Sequence, residues 1–243
     1  MRAIVKNLMS LCFFALIHCA GYANASEEDD FVASNIISVF YHELGHAVID
    51  MMGDPIFGQE EDAADVFSIL LIDQVFEPES ANSIAYDAAF GFYAEASDHQ
   101  PTFWDVHGPD EQRYYNLVCI FYGANPDFRD DLASDLGLPE ERALSCQEEY
   151  ELAIDSWGAV LNDMEALEGK LKLPQGSNSP NDLIKLVLSQ EIEGFNAMFG
   201  FPRNVQISIE QCGEANAFYD PTAGSITICR EFEEHLRRQF RIL

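Results

Sequence analysis

His42-Glu43-Leu44-Gly45-His46 sets two imidazoles four residues apart, with a carboxylate between them. Positions four apart on a helix share a face, so both rings project the same way. Two nitrogens so placed can bind one Zn²⁺, which takes histidine at about 2.0–2.1 Å. Glu43 is turned away from a direct bond but stands beside the ion. A carboxylate there can take a proton from water as it attacks a carbonyl. A catalytic zinc also needs a third protein ligand and an open position. No histidine in residues 47–54 supplies that ligand. The acidic run Glu60-Glu61-Asp62-Ala63-Ala64-Asp65 follows instead. Glu61 and Asp65 share a helical face, so Glu61 is the expected ligand. Asp65 is expected to accept the N–H of a ligand histidine, His42, and fix its tautomer. Glu60 and Asp62 are rival ligands. An acidic first turn is also what a helix dipole favours without any metal.

H-E-x-x-H followed by E-x-x-x-D on a second helix resembles the gluzincins, the metallopeptidase group that includes thermolysin and neprilysin. Asp105-Val106-His107-Gly108-Pro109-Asp110-Glu111-Gln112-Arg113 is similar to the neprilysin-type D-V-H-x-P-G-x-x-R, with Asp110 in the glycine position. The resemblance implies that His107 donates to an oxyanion, that Asp105 orients His107, and that Arg113 binds a substrate carbonyl. Asn216-Ala217-Phe218-Tyr219-Asp220-Pro221 looks like the N-A-F-Y-x-P and N-A-F-W segments of the same enzymes. There the segment is an edge strand, so Asn216 and Ala217 become substrate-binding candidates. The order differs: in those enzymes this strand precedes the zinc helix, and here it lies far downstream. Across nearly all of the chain after residue 25, the sequence also resembles a family of exported bacterial proteins of unknown function regarded as metallopeptidases. The segments YHELGHAVID (41–50), EEDAAD (60–65), DEQRYYNLVC (110–119), CQEEY (146–150) and CGEANAFYD (212–220) carry that likeness, which implies a zincin fold.

Several elements must position these residues. Apolar residues at Ile36, Ile37, Phe40, Leu44, Ala47, Val48 and Met51 fall near a 3.6-residue period and predict a helix over 31–52. Gly53-Asp54-Pro55 stops it. Further helices are expected over 60–75, 79–96, 109–122, 127–136, 139–167 and 181–199. Residues 99–108 read as irregular. Strands are expected at 205–209, 217–219 and 225–229, with a turn at 220–224. The expected fold is α+β. It is mainly α and zincin-like, with a zinc site between two helices and a short C-terminal β-hairpin as candidate substrate edge strand. The expected domain is a single one over 26–243, with an internal linker near 173–180.

Residues 1–25 read as a secretory signal. Arg2 and Lys6 precede a short apolar run, and Ala23-Asn24-Ala25 is a small-x-small cleavage site. The apolar run is too short for a membrane span of about 20 residues, so no stable anchor is expected after cleavage. The chain is then exported, to a periplasm or beyond. The full chain has 42 acidic and 13 basic residues, a net charge of −29. Loss of Arg2 and Lys6 takes that to −31. Phosphates are repelled by such a surface, so nucleic acid is excluded as a partner. Four cysteines remain after residue 25. An even number in an exported chain reads as two disulfides. The pairs that join neighbouring elements, Cys119–Cys146 and Cys212–Cys229, are favoured among three connectivities. The leading reading is a peptidase with one catalytic zinc and a peptide or protein substrate. The alternative is an exported binding or structural protein that keeps a zincin-type zinc site.

Overall fold

The computed structural model describes residues 26–98, 100–174 and 182–243. The signal segment 1–25 and the linker residues 175–181 lie outside the described residues.

Helix α1 (Glu27–Met52) is the axis of the molecule. It begins four residues before the expected start, because Ser26 caps it. The Ser26 hydroxyl accepts the Asp29 N–H at 3.2 Å, and four acidic residues fill the first turn. Negative charge there complements the helix dipole. Gly53 ends the helix in the left-handed region, at φ 68°, and its N–H bonds the Ile49 carbonyl. Helix α2 (Glu60–Val75) has the expected bounds. It crosses α1 closely at Gly45, where an added Cβ would lie 3.0 Å from the Ala64 Cα. Glycine inside H-E-L-G-H therefore lets the acidic start of α2 approach the two histidines.

Helices α3 (Pro78–Asp98) and α4 (Asp110–Ala124) complete the packing around α1 and α2. Short α5 (Asp130–Asp135) and long α6 (Glu140–Met164) follow. A disulfide between Cys119 and Cys146, both fully buried, ties α4 to α6. Phe40 and Leu44 of α1, Phe67 and Leu70 of α2, and Leu117 and Phe121 of α4 are all buried in one core. Each such side chain contributes about 1.5–3 kcal/mol by leaving water. Leu44→Ala beside the histidines should cost about 2–5 kcal/mol through the cavity it opens.

The remainder forms a small sheet with two helices. Its elements are β1 (Leu171–Lys172), α7 (Leu183–Met198), β2 (Val205–Glu210), β3 (Ala217–Asp220), β4 (Ser225–Cys229) and α8 (Glu231–Phe240). The expected hairpin is one corner of this four-stranded mixed sheet, ordered β1-β2-β4-β3. β2 runs parallel to β1 and β4, while β3 runs antiparallel to β4 and forms an edge. The second disulfide, Cys212–Cys229, closes the loop between β2 and β4. Helix α8 was not anticipated. Its Phe232, Leu236 and Phe240 pack on the core, and its Arg237 reaches Asp29 of α1 at 2.8 Å. Among the described residues, no helix is long and apolar enough to cross a membrane.

Candidate metal centre

The α1–α2 crossing brings His42, His46 and Glu61 to one point. His42 Nε2 and His46 Nε2 are 3.2 Å apart. Glu61 Oε2 is 3.1 Å from the first and 3.2 Å from the second. The other nitrogen of each ring meets a carboxylate. His42 Nδ1 lies 2.7 Å from Asp65 Oδ1, and His46 Nδ1 lies 2.8 Å from Glu60 Oε1. A carboxylate only accepts, so each Nδ1 is the donor, and in a neutral ring Nε2 then carries a lone pair. Two imidazole lone pairs and a carboxylate oxygen thus converge. Such an arrangement repels itself unless positive charge sits among the three atoms.

A tetrahedral ion bonded at about 2.0–2.1 Å spaces its ligand atoms about 3.3–3.4 Å apart. The three separations fit a zinc-sized ion, and the nitrogen and oxygen donors suit it. His42, Glu61 and His107 form a second possible group of ligands, with His107 Nε2 2.9 Å from Glu61 Oε2. The ring centroids of His42 and His46 are 4.9 Å apart, against 6.2 Å for His42 and His107, so the triad with His46 is the tighter set. Without an ion, protons must supply the charge. Burial pulls the His42 pKa down, but the bonds to Asp65 and Glu61 outweigh it and raise it to about 9. His46 also rises, against its burial, through Glu61 and Glu60. Glu61 resists burial and sits far below the usual carboxylate range, held by His107, His42 and His46.

Glu43 is 7% exposed beside this centre. Burial raises its pKa, while His42 and His46 pull it down. The backbone of Tyr219 on the neighbouring strand also pulls it down. His107 enters from the irregular segment before α4. Its Nε2 lies 2.9 Å from Glu61 Oε2, and its side chain is 43% exposed. The orienting bond expected from Asp105 is not made, since His107 Nδ1 and Asp105 Oδ1 are 3.7 Å apart. Asp105 instead accepts the backbone N–H of Val106 at 2.7 Å and shapes the turn. Arg113 also differs from expectation. Its Nε and Nη2 grip the two oxygens of Asp65 at 2.8 and 2.9 Å, and its guanidinium lies over the Phe92 ring. Arg113 therefore fixes the carboxylate that fixes His42. Asp65 is held well below its usual pKa against its burial, by Arg113 first and His42 second.

Glu60, expected as a rival ligand, lies 2.8 Å from His46 Nδ1 instead. Its bond to His46 Nδ1 gives it the same orienting part for His46 that Asp65 has for His42. Adjacent acids on a helix start could not be told apart by spacing alone.

Strand β3 forms one wall of a cleft of about 1230 Å³ that contains the centre, with Asn216 and Ala217 among the lining. The Cys229 N–H bonds the Asn216 carbonyl at 3.0 Å. Antiparallel pairing alternates, so Phe218 and Asp220 address β4, while Ala217 and Tyr219 turn their peptide groups to the open edge. The Asn216 side-chain oxygen accepts the Ala217 N–H at 2.9 Å. The sequence order sets this segment far after the helix of the two histidines. Sheet packing returns it to α1.

No curated protein and no solved structure matches the chain. The model of one family does, DUF4344, whose description reads "Putative metallopeptidase", over residues 7–161 and 181–242. Those residues include both histidines, Glu61, His107 and the edge strand, and the chain belongs to that family.

Proposed function

We propose that the protein is an exported, zinc-dependent peptidase of gluzincin type, with His42, His46 and Glu61 as the metal ligands. One observation carries this reading: three electron-pair donors, on two helices, meet 3.1–3.2 Å apart with a buried carboxylate beside them. A purely structural histidine pair would point its lone pairs at donors. Bound among these atoms, zinc supplies a Lewis acid and makes water acidic enough to be a nucleophile near neutral pH.

The chain's own groups do the rest. Glu43 receives the proton that the attacking water gives up, and later passes it to the leaving amine. Asp65 and Glu60 hold the two imidazoles in the tautomer that leaves Nε2 free for metal. Arg113 holds Asp65. His107 reaches the centre from the segment before α4, and once turned from Glu61 its imidazole N–H can meet the negative oxygen that develops on the scissile carbonyl. The open edge of β3 offers peptide groups for an extended substrate, by addition of one strand. The two disulfides and the expected signal suit an oxidising compartment.

The test is metal content and cleavage together. Wild type should carry about one zinc per chain, lost in His46→Ala and Glu61→Ala, and should cut members of a mixed peptide library. Wild type purified without chelators and found free of zinc would remove the basis of the reading. Zinc without any cleavage would leave a binding module that keeps the site.

A further inference from the structure

Tyr219 occupies an unusual position on the edge strand. Its peptide group faces the open side of β3, and both it and Glu43 line the cleft. Its side chain runs along α1 and donates its hydroxyl to Asp50 Oδ2 at 2.7 Å. Asp50 stands seven residues after Glu43 on α1, two helical turns or about 10 Å. The strand is therefore tied to the helix that carries the buried carboxylate. Ala217, the first residue of the strand, lies two positions earlier on the same face.

β3 needs such a grip. It is four residues long, it is an edge, and among the described residues its one strand partner is β4. An edge strand with one neighbour is easily displaced. Here displacement would shift the peptide groups of Ala217 and Tyr219 that face the cleft. Asp50 is exposed at the rim of the cleft, so its bond to Tyr219 is not required to satisfy a buried charge.

We propose that Tyr219 is a positioning residue, which clamps the edge strand onto the zinc helix through Asp50 and so sets the distance between substrate backbone and general base. The inference rests on the peptidase reading for its consequence, but the clamp itself can be tested without any substrate. Tyr219→Phe removes the hydroxyl and keeps the ring. Asp50→Ala removes the acceptor from an exposed position.

In both variants, zinc content should match wild type, and hydrogen exchange at the amides of residues 217–220 should speed up about tenfold, the size expected for one lost bond to a charged group. Kinetics then read the consequence. With two fluorogenic peptides cut at the same bond, one of three residues and one of nine, KM for the longer should rise about tenfold. The shorter, which cannot lie along the strand, should keep its KM within twofold. The double variant should behave like either single one, because both changes break the same bond. Unchanged exchange at residues 217–220 would overturn the clamp whatever the enzyme does. Equal losses on both peptides, or additive losses in the double variant, would overturn the positioning role. Absence of cleavage by wild type would fail the peptidase reading alone, and the exchange data would still decide the clamp.

Discussion

Helix α2 carries a carboxylate near each end, and each is met by an arginine from the region of α4. At the far end, Arg129 is 3% exposed and bonds Asp73 of α2 at 2.6 Å, Asn82 of α3 at 3.0 Å and the Phe121 carbonyl of α4 at 2.8 Å. Asp73 is also bonded by Tyr150 of α6 at 2.7 Å. At the near end, Arg113 gives two nitrogens to Asp65, its third comes within 3.8 Å of Asp110, and Asp65 passes the constraint to His42. The chemistry of the two pairs is the same, and their surroundings differ. Arg129 spreads its donors over three helices and holds the fold. Arg113 concentrates them on one carboxylate at the edge of a cleft and holds an orientation. A buried arginine can therefore be assigned a purpose by where its donors go, rather than by how buried it is.

The largest expected effect lies at the near end. Glu43→Gln keeps size and hydrogen-bonding shape but cannot take a proton. It should lower kcat by about 10²–10⁴-fold, with zinc content and unfolding midpoint unchanged. Retained activity would mean that another group is the base. The far end should answer in the opposite currency. Arg129→Ala leaves Asp73 half-paired in the interior and should cost about 3–5 kcal/mol. Urea unfolding measures this, and zinc per folded chain should be unaffected. A loss of zinc at constant stability would erase the distinction between the two ends.

Some of this was legible in the sequence because it is local. The histidine pair, Glu43 between its members, and the Glu61–Asp65 pair depend only on helical period, and α2 has the bounds that its pattern predicts. Both disulfides join cysteines that are near along the chain, 27 and 17 residues apart, with one short element between them. Other features depended on tertiary placement. Which acid reaches which imidazole is set by how closely Ala64 can approach Gly45, and no spacing reports that. Arg113 has only one route to Asp65, through the packing of α4 on α2, so its pairing was invisible. The role of β3 came from resemblance and not from pattern, since a four-residue strand shows only its alternation. Helix α8 does carry a sequence signal: Phe232, Leu236 and Phe240 recur every four residues in a strongly charged stretch.

A finer contrast comes from changing the near-end arginine without removing its charge. Arg113→Lys keeps a cation beside Asp65 but loses the planar fork that meets both oxygens. Supports of metal ligands are typically worth about 10–100-fold in affinity, so zinc affinity should fall within that range. Unfolding of the zinc-saturated protein should shift less than for Arg129→Ala. If Arg113→Lys instead destabilised the protein as much as Arg129→Ala and left zinc affinity intact, the near-end pair would be a fold device like the far one.

The smallest effect concerns a carboxylate with no arginine. Asp87 of α3 is held above its usual range, at about 6, chiefly by burial, with Ser34 opposing the shift and Asp30 adding to it. A folded-state pKa above the unfolded one means that the fold favours the protonated acid. That contribution is complete below about pH 4 and is lost as pH rises through 6. Asp87→Asn cannot ionise, so it should match wild type near pH 4 and be more stable by about 1–2 kcal/mol at pH 7.5. Asp65 has the opposite sign. Its lowered pKa stabilises the fold above pH 4, and that contribution disappears only as acid reaches the depressed value, so Asp65→Asn should lose stability at pH 7.5 and lose less in acid. Each variant is compared with wild type at the same pH and zinc concentration. Parallel pH curves for the two substitutions would show that an arginine partner makes no difference to a buried aspartate in this fold, and opposed curves would show that it decides the sign.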